Sequence, residues 1–509
     1  MVDHVDRFDT RAVIPVQSFA ALQQELGAAW LANQAGTNTE HVMVVLPSHS
    51  VAESLLSHYA ARIPAFEHRY LVAYFLLHRV PGCEMVFLCT QAPDPKVIDY
   101  YTSLVPDHVA VSMRSRFRCI VVDDGTVRSA SAKLLDRPDL LDDLRASFRG
   151  RPVFIQPWNV TDLEVEVALR LKAPLLGTSP KLWPLGYKSA GRRLIAAAGV
   201  PTPFGREGLR SVDEVIAAIA EVRAARPNAV GVVIKLDDSG AGDGNVVVGL
   251  RRTGGGSATM EEIGERVEAL PAWYLSDLCA GCVVEELITA TTFRSPSVQV
   301  HISPFGEVSV LATHEQMLGG DNGQVFTGCQ FPADPRYAAQ IARYGKAVAE
   351  EFAARGAVGR LAVDFAVACD ETDRCRVFAL EINLRNGGTT HPYAVLRNLV
   401  PGRYDVDAGQ WVSSDGSPRS YCATDNMVDI AWLGLPPATV IEAVAAGGLQ
   451  FDHTTGTGVV LHMLSGLAVD GRFGLTAIGR TPRHADELFD ATREAVDRAR
   501  RSHRTAGRR

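Results

Sequence analysis

Long apolar runs are missing from this chain. No stretch approaches the ~18 uninterrupted apolar residues of a membrane-spanning helix, so no membrane partner is expected. The amino terminus, Met1–Thr10 (MVDHVDRFDT), is polar and acidic and lacks the basic start and apolar core of a signal peptide. Excess positive charge is missing too. Lys and Arg number 51 against 58 Asp and Glu, a formal net charge of −7 with a pI near 6.1, which argues against a nucleic-acid binder. The basic end Arg498–Arg509 (RARRSHRTAGRR) is the exception and reads as a solvated terminus. Cysteine is sparse, 9 in 509 residues, an odd count that fits reduced thiols in a cytoplasm. Cys279 and Cys282 have the spacing of half a zinc site, but no second pair stands at a matching distance, so buried thiols are expected. Internal repeats and low-complexity blocks are also lacking.

What is present is ordinary for a globular protein, with 47% hydrophobic and 21% charged residues. The length admits roughly two to four domains. In the first third, apolar runs at His41–Leu46, Glu84–Cys89, Cys119–Val122 and Pro152–Gln156 alternate with helical stretches such as Thr161–Lys172. That alternation indicates a parallel, helix-covered sheet of the α/β class. No G-x-G-x-x-G follows the first run, so nothing marks a dinucleotide site. A Gly- and Pro-rich boundary falls near Gly177–Gly186, and Tyr187–Ala198 is helical up to Gly199. The middle third changes to longer strands and glycine-rich turns, an α+β pattern. From about Pro401 a last segment holds a helix near Pro437–Ala446, strands at Gly458–Leu464 and Leu467–Leu475, and a charged terminal helix.

The sharpest chemical signal is a hairpin. Leu361–Ala368 (LAVDFAVA) and Arg376–Asn383 (RVFALEIN) alternate in polarity around the polar turn Cys369–Cys375. A hairpin symmetric about Thr372 and Asp373 sets Asp364 opposite Glu381, with Asn383 two residues further on the same face. Val363, Phe365 and Val367 against Phe378, Leu380 and Ile382 then form the core face. Two facing carboxylates repel unless a cation sits between them, and oxygen ligands at this density suit magnesium shared with a triphosphate. A weaker signal is Gly231–Val248 (GVVIKLDDSGAGDGNVVV), where a strand carrying Lys235 enters a loop with Gly240, Gly242 and Gly244. Glycines let backbone approach phosphate oxygens, and the lysine supplies a point charge. A strand follows that loop, so it is neither a Walker A motif nor a kinase loop. Cys282–Ile288 (CVVEELI) is an apolar strand closing on paired acids, with backbone groups able to meet an adenine edge.

Taken in order, a lysine before a helix, a lysine before a Gly-rich loop, a Glu-Glu hinge, and Asp followed by Glu-x-Asn resemble the ATP-grasp superfamily. The likeness is closer to the pheganomycin-type peptide ligases, carried by DYYTSLVP (99–106), WNVTDL (158–163), LGYKSAGRR (185–193), RSPSVQ (294–299), THEQMLGG (313–320), EINLRNGGTTHP (381–392) and GVVLHML (458–464). The resemblance implies a pre-ATP-grasp domain over 1–183, an ATP-grasp core with nucleotide between two α+β lobes over 184–400, and a family-specific domain over 401–509.

It also implies roles. Lys188 and Lys235 would contact ATP phosphates or the adenine edge, and Ser239, Gly240, Gly242, Gly244 and Asn245 would form the lid loop. Glu285, Glu286, Leu287 and Ile288 would be the adenine hinge, mostly through backbone. Asp364, Glu381 and Asn383 would hold Mg2+, with Mn2+ able to substitute, and Arg385 would stabilise the transferring phosphoryl group. Arg294 and His391 are further catalytic candidates. For Arg294, Ser297, Gln299, His314, Gln324, Thr389, Thr390 and His391, substrate contact and structural hydrogen bonding both stand open. Thr292 occupies the place of a ribose-binding acid, so ATP over GTP rests on the family alone. The implied activity is ligation of a small carboxylate to an amine or peptide through an acyl phosphate, releasing ADP and phosphate, in secondary metabolism. The alternatives are a phosphotransferase, a ligase using another nucleophile, and a non-catalytic scaffold. A homo-oligomer is left open.

Overall fold

The computed structural model describes residues 16–51, 53–239, 244–252, 255–319 and 325–506. Gly240, Gly242 and Gln324 lie outside the described residues.

The first third folds as the alternation requires. Strands β1 (His41–Leu46), β2 (Cys83–Cys89), β3 (Phe117–Val121) and β4 (Val153–Pro157) form a parallel sheet in the order β3-β2-β1-β4. Every residue of β1 is buried, which is why it is an unbroken apolar run with helices on both faces. Helix Asp162–Leu171 starts at a capping box in which Thr161 and Glu164 each satisfy the other's backbone N–H.

A small antiparallel sheet follows, β5 (Gly205–Leu209), β6 (Gly231–Leu236), β7 (Asn245–Gly249) and β8 (Cys282–Glu286), in the order β5-β8-β6-β7. Helices Val212–Ala225 and Met260–Glu268 back it through Ile219, Val222, Ile263 and Val267.

The remaining strands are β9 (Thr292–Arg294), β10 (Pro296–Ile302), β11 (Val308–Gly319), β12 (Val325–Phe331), β13 (Gly359–Cys369), β14 (Cys375–Asn383), β15 (Gly402–Asp405), β16 (Gln410–Ser413), β17 (Pro418–Val428), β18 (Gly458–His462) and β19 (Arg472–Gly479). They make one 11-stranded sheet with the path β14-β13-β10-β11-β12-β17-β16-β15, while β19 joins β17 to β18 and β9 pairs with β13. Strands beyond residue 401 therefore extend the core sheet, through pairs such as Cys329↔Ala423. The strand expected at Leu467–Leu475 begins instead as a helical turn, Leu467–Asp470. Gly471, at φ 72°, redirects the chain before β19, a conformation that suits glycine.

One face of the large sheet packs on helix Ala338–Ala353, with Ile341, Val348 and Phe352 against Val298, Val300, Val363 and Phe365. Alternation puts Asp364, Ser297, Gln299, His301 and Arg360 on the other face, which turns toward the parallel-sheet domain. That domain is docked by polar bonds as well as apolar packing. Asn386 Nδ2 donates to the Pro157 carbonyl at 2.7 Å, and the Tyr100 hydroxyl accepts the Leu461 N–H at 3.0 Å. Among the described residues no helix is long and apolar enough to cross a membrane.

Candidate active site

Asp364 pairs with Glu381 and Ala362 with Asn383, the expected partners, although the turn is centred on Thr372 alone, with Cys369 opposite Cys375, and would by itself set Asp364 opposite Leu380. A bulge brings the two carboxylates opposite each other. Asp364 pairs with Glu381 while Phe365 pairs with Ala379, which leaves Leu380 as the extra residue. Alternation therefore resets, so Val377, Ala379 and Ile382 enter the core while Phe378 and Leu380, expected there, stay half-buried outside it. At the hairpin neck Cys369 and Cys375 face each other and are bonded, at S–S 1.98 Å. This corrects the reading of all nine cysteines as thiols; the other seven are free. Of the Cys279/Cys282 pair only Cys282 is buried, and Cys279 is exposed.

The two acids are held by short polar contacts. Asn383 Nδ2 donates to Asp364 Oδ2 at 3.0 Å and to Glu381 Oε1 at 3.4 Å. Gln316, which the sequence reading did not single out although it stands inside THEQMLGG, donates to Asp364 Oδ1 at 2.8 Å. Lys188, first residue of helix Lys188–Ala197, sets its ammonium 2.6 Å from Glu381 Oε2 and 3.1 Å from the Ser239 carbonyl. Burial, and then the charge of Glu381, push the Asp364 carboxyl up to about 8. Burial acts the same way on Glu381, but the Lys188 ammonium outweighs it and holds that carboxyl at about 2. Near neutral pH the pair thus carries one proton and one lysine partner, a charge balance that a divalent cation can take over. The donor set of two carboxylates and an amide oxygen fits Mg2+.

The smaller lobe holds a second charge knot. Lys235 Nζ lies 2.6 Å from Glu285 Oε2, and Arg192, one helical turn beyond Lys188, lies 2.5 Å from Glu285 Oε1. Glu285 is 4% exposed and Lys235 8%, so the glutamate acts as a buried counter-ion that aims the lysine. Arg192 is a second residue the sequence reading missed. In the hinge, the Glu286 and Leu287 N–H groups already donate to the carbonyls of Phe204 (2.8 Å) and Gly231 (2.9 Å). The Ile288 N–H has no acceptor among the described residues. Gly244 packs against Ser239 so closely that a Cβ would lie 2.4 Å from the serine side chain. Asn245 pairs with Lys235 across β6 and β7.

Arg385 lies between the carboxylates and the first domain. Its guanidinium stacks 5.4 Å over the Trp158 ring, and His49 stacks on the same ring at 4.4 Å. Glu381 and Asp364 are among the charges acting on it.

Two expected catalytic residues are not at this centre. Arg294 pairs with Val367, whose side chain lies in the core on the helix side of the sheet. Cross-strand partners share a face, so Arg294 leaves the sheet away from Asp364, toward Glu315 and Asp334. His391 is 1% exposed, with Nε2 2.9 Å from Asp425 Oδ1 and 3.1 Å from His462 Nε2. His462 Nε2 also lies 2.9 Å from Asp425 Oδ1, while Arg69 holds Asp425 Oδ2 at 2.9 Å. These three donors could hold a cation, but Arg69 already balances the carboxylate. Burial pushes His391 down to about 4, so it is a neutral member of a clasp joining distant segments. His314 is likewise structural, buried with Nε2 2.5 Å from the Tyr421 hydroxyl. The Thr390 hydroxyl accepts the Gly387 N–H at 2.9 Å.

A small antiparallel lobe carrying Lys235 and the hinge faces a large lobe carrying Asp364, Glu381 and Asn383, behind a parallel-sheet domain. That arrangement defines the ATP-grasp class. Residues 271–407 match the IQCH-like ATP-grasp family, and residues 439–492 the PGM1 C-terminal domain. The L-propargylglycine–L-glutamate ligase of Streptantibioticus cattleyicolor is 33% identical over 422 residues, covering 80% of this chain and 84% of that protein. IQ motif-containing protein H of Danio rerio is 21% identical over 360 residues, 60% of this chain but 34% of that one. Among solved structures, the β,γ-ATP complex of biotin carboxylase from Campylobacter jejuni superposes with a TM-score of 0.53 at 13% identity, over 90% of this chain and 94% of that one. The chain belongs to the ATP-grasp carboxylate–amine ligases of the pheganomycin type. It is a nucleotide-using enzyme that forms carbon–nitrogen bonds between small-molecule substrates.

Proposed function

We propose that this protein joins two amino-acid-like substrates through a peptide bond, in cytoplasmic secondary metabolism. Residues 1–183 would wall in the substrates, 184–400 would carry out the chemistry, and 401–509 would brace the large sheet. ATP and Mg2+ (or Mn2+) would supply a γ-phosphoryl group that turns a carboxylate oxygen into a leaving group. Lys188 and Lys235 would turn from Glu381 and Glu285 to the phosphates. Ser239, Gly240, Gly242, Gly244 and Asn245 would close over them, and the Glu286–Ile288 backbone would receive the adenine edge. Asp364, Glu381 and Asn383 would hold the metal. Arg385, fixed by Trp158, would balance charge on the transferring phosphoryl group and keep the acyl phosphate in line for the amine. The related S. cattleyicolor enzyme is named for two amino acids, which supports amino acids as both substrates here.

The observation that carries the reading is the facing pair Asp364/Glu381, braced by Asn383 and balanced by Lys188. Purified protein with ATP, Mg2+ and pairwise panels of amino acids tests it, with ADP, AMP and amide product each quantified. ADP and amide in equal amounts, formed only when both substrates are present, is the expected result. Stoichiometric AMP would overturn the acyl-phosphate route.

A further inference from the structure

Beside the catalytic centre the large sheet and the parallel-sheet domain enclose a cavity of about 120 Å³. Trp158, whose ring supports Arg385, and Asn386, next to Arg385 in sequence, form part of its wall. Arg360 lies on the same face of β13 as Asp364, four residues earlier, about 13 Å along the strand. The cavity and the phosphoryl-transfer centre are therefore separated by about the length of an extended amino acid plus an arginine side chain.

The lining has a chemical bias. It contains two cations, Arg360 and Arg397, beside His301 and His391, which burial keeps neutral, and not one Asp or Glu. Arg360 makes no ion pair with an acid among the described residues, whereas Arg397 reaches solvent at one end of the lining. Arg360 donates to the Gln299 amide oxygen at 3.2 Å and lies 5.7 Å over the Tyr393 ring, neither of which cancels its charge. Burial, and then Arg397, push its guanidinium down to about 10. Nearly buried polar atoms around the same space also stand without partners, namely His301 Nε2, Asn386 Oδ1 and Trp158 Nε1, in residues 7%, 6% and 9% exposed. Cations and polar groups left unsatisfied in a closed space cost stability unless a ligand meets them. The protein's interior elsewhere pairs its buried charges, as with Lys235–Glu285 and Arg69–Asp425.

We propose that this cavity receives the side-chain carboxylate of an acidic α-amino-acid substrate, with Arg360 and Arg397 as its anion-binding residues. The volume has room for about four waters, and so for a carboxyethyl group in their place. The unpartnered polar atoms of His301, Asn386 and Trp158 belong to residues lining the same space. The α-carbon end of the substrate then lies at the Trp158 wall, within reach of Arg385. The assignment rests on the ligase reading, so binding is tested without turnover and the two can fail separately.

The experiment measures calorimetric binding of L-glutamate, L-glutamine and glutarate to the full chain without nucleotide. L-glutamate should bind at least about tenfold more tightly than L-glutamine, the discrimination expected of one charge-assisted hydrogen bond. Arg360→Gln should abolish that preference and Arg360→Lys retain part of it. Should Arg360→Gln unfold, Arg397→Gln at the exposed end of the lining serves in its place. In turnover, the variant should raise KM for the acidic substrate about tenfold or more, leaving KM for ATP unchanged. Equal affinity for L-glutamate and L-glutamine in the wild type overturns the proposal, as does a preference that survives in every folded variant. A glutamate preference without ATP-dependent product from any pair would keep the pocket and remove the ligase reading.

Discussion

Glu381→Gln exchanges a carboxylate for an amide of the same shape, and the structure separates its effect on the fold from its effect on turnover. In the metal-free protein Lys188 loses a partner at 2.6 Å, but the glutamate side chain is 30% exposed. After solvent screening that loss is about 1 kcal/mol. Asp364 offsets part of it, because after burial the Glu381 charge is a cause of its raised pKa; without that charge its carboxyl ionises more readily beside the Lys188 ammonium. The thermal midpoint should therefore move by only a few degrees. Turnover is another matter. A neutral amide is a weak ligand for a hard dication, and the charge that fixes the metal against the phosphates is gone. Removing one preorganised charge-stabilising group costs about 10²–10³ in kcat, roughly 3–4 kcal/mol. The assay is coupled ADP release with ATP and both substrates saturating and Mg2+ titrated to its plateau, with thermal melting in parallel. A kcat within tenfold of wild type at that plateau would refute the metal assignment, and a collapsed melting transition would refute the claim that the fold is spared.

Two further outcomes follow from the same geometry. Asp364 is raised from 3.8 to about 8, so in that window the folded protein binds a proton that the unfolded chain releases, and stability falls as pH rises. Asp364→Asn in metal-free buffer should therefore gain in melting temperature relative to wild type between pH 5 and pH 8, and a pH-independent difference would count against it. Asp425→Asn leaves Arg69, whose side chain is 12% exposed, buried without its counter-ion, at a cost of about 3–5 kcal/mol. Urea unfolding followed by Trp fluorescence reads that loss, and an unchanged midpoint would contradict the clasp.

The polar face of the hairpin was legible in the sequence because its causes are local. Alternation puts Glu381 and Asn383 on one face of their strand and Asp364 on the matching face of its neighbour, whereas the pairing of Asp364 with Glu381 came from a one-residue bulge that offset a turn centred on Thr372 alone. The apolar runs of β1 to β4 and the stop at Gly199 are readable for the same reason. The bulge at Leu380 was not, since nothing within the strand says which of two apolar residues will be left unpaired. The face taken by Arg294 depends on β9 meeting β13 at Val367, a pairing across more than seventy residues. Gln316 reaches Asp364 from β11, and the clasp of His391, Asp425 and His462 gathers residues up to 71 positions apart. The cavity needs the parallel-sheet domain, β13 and helix Thr390–Leu399 at once. Local pattern determines what each segment can form; which segments meet is decided by burying all their apolar faces together against the entropy of closing long loops, and only the assembled fold expresses that balance.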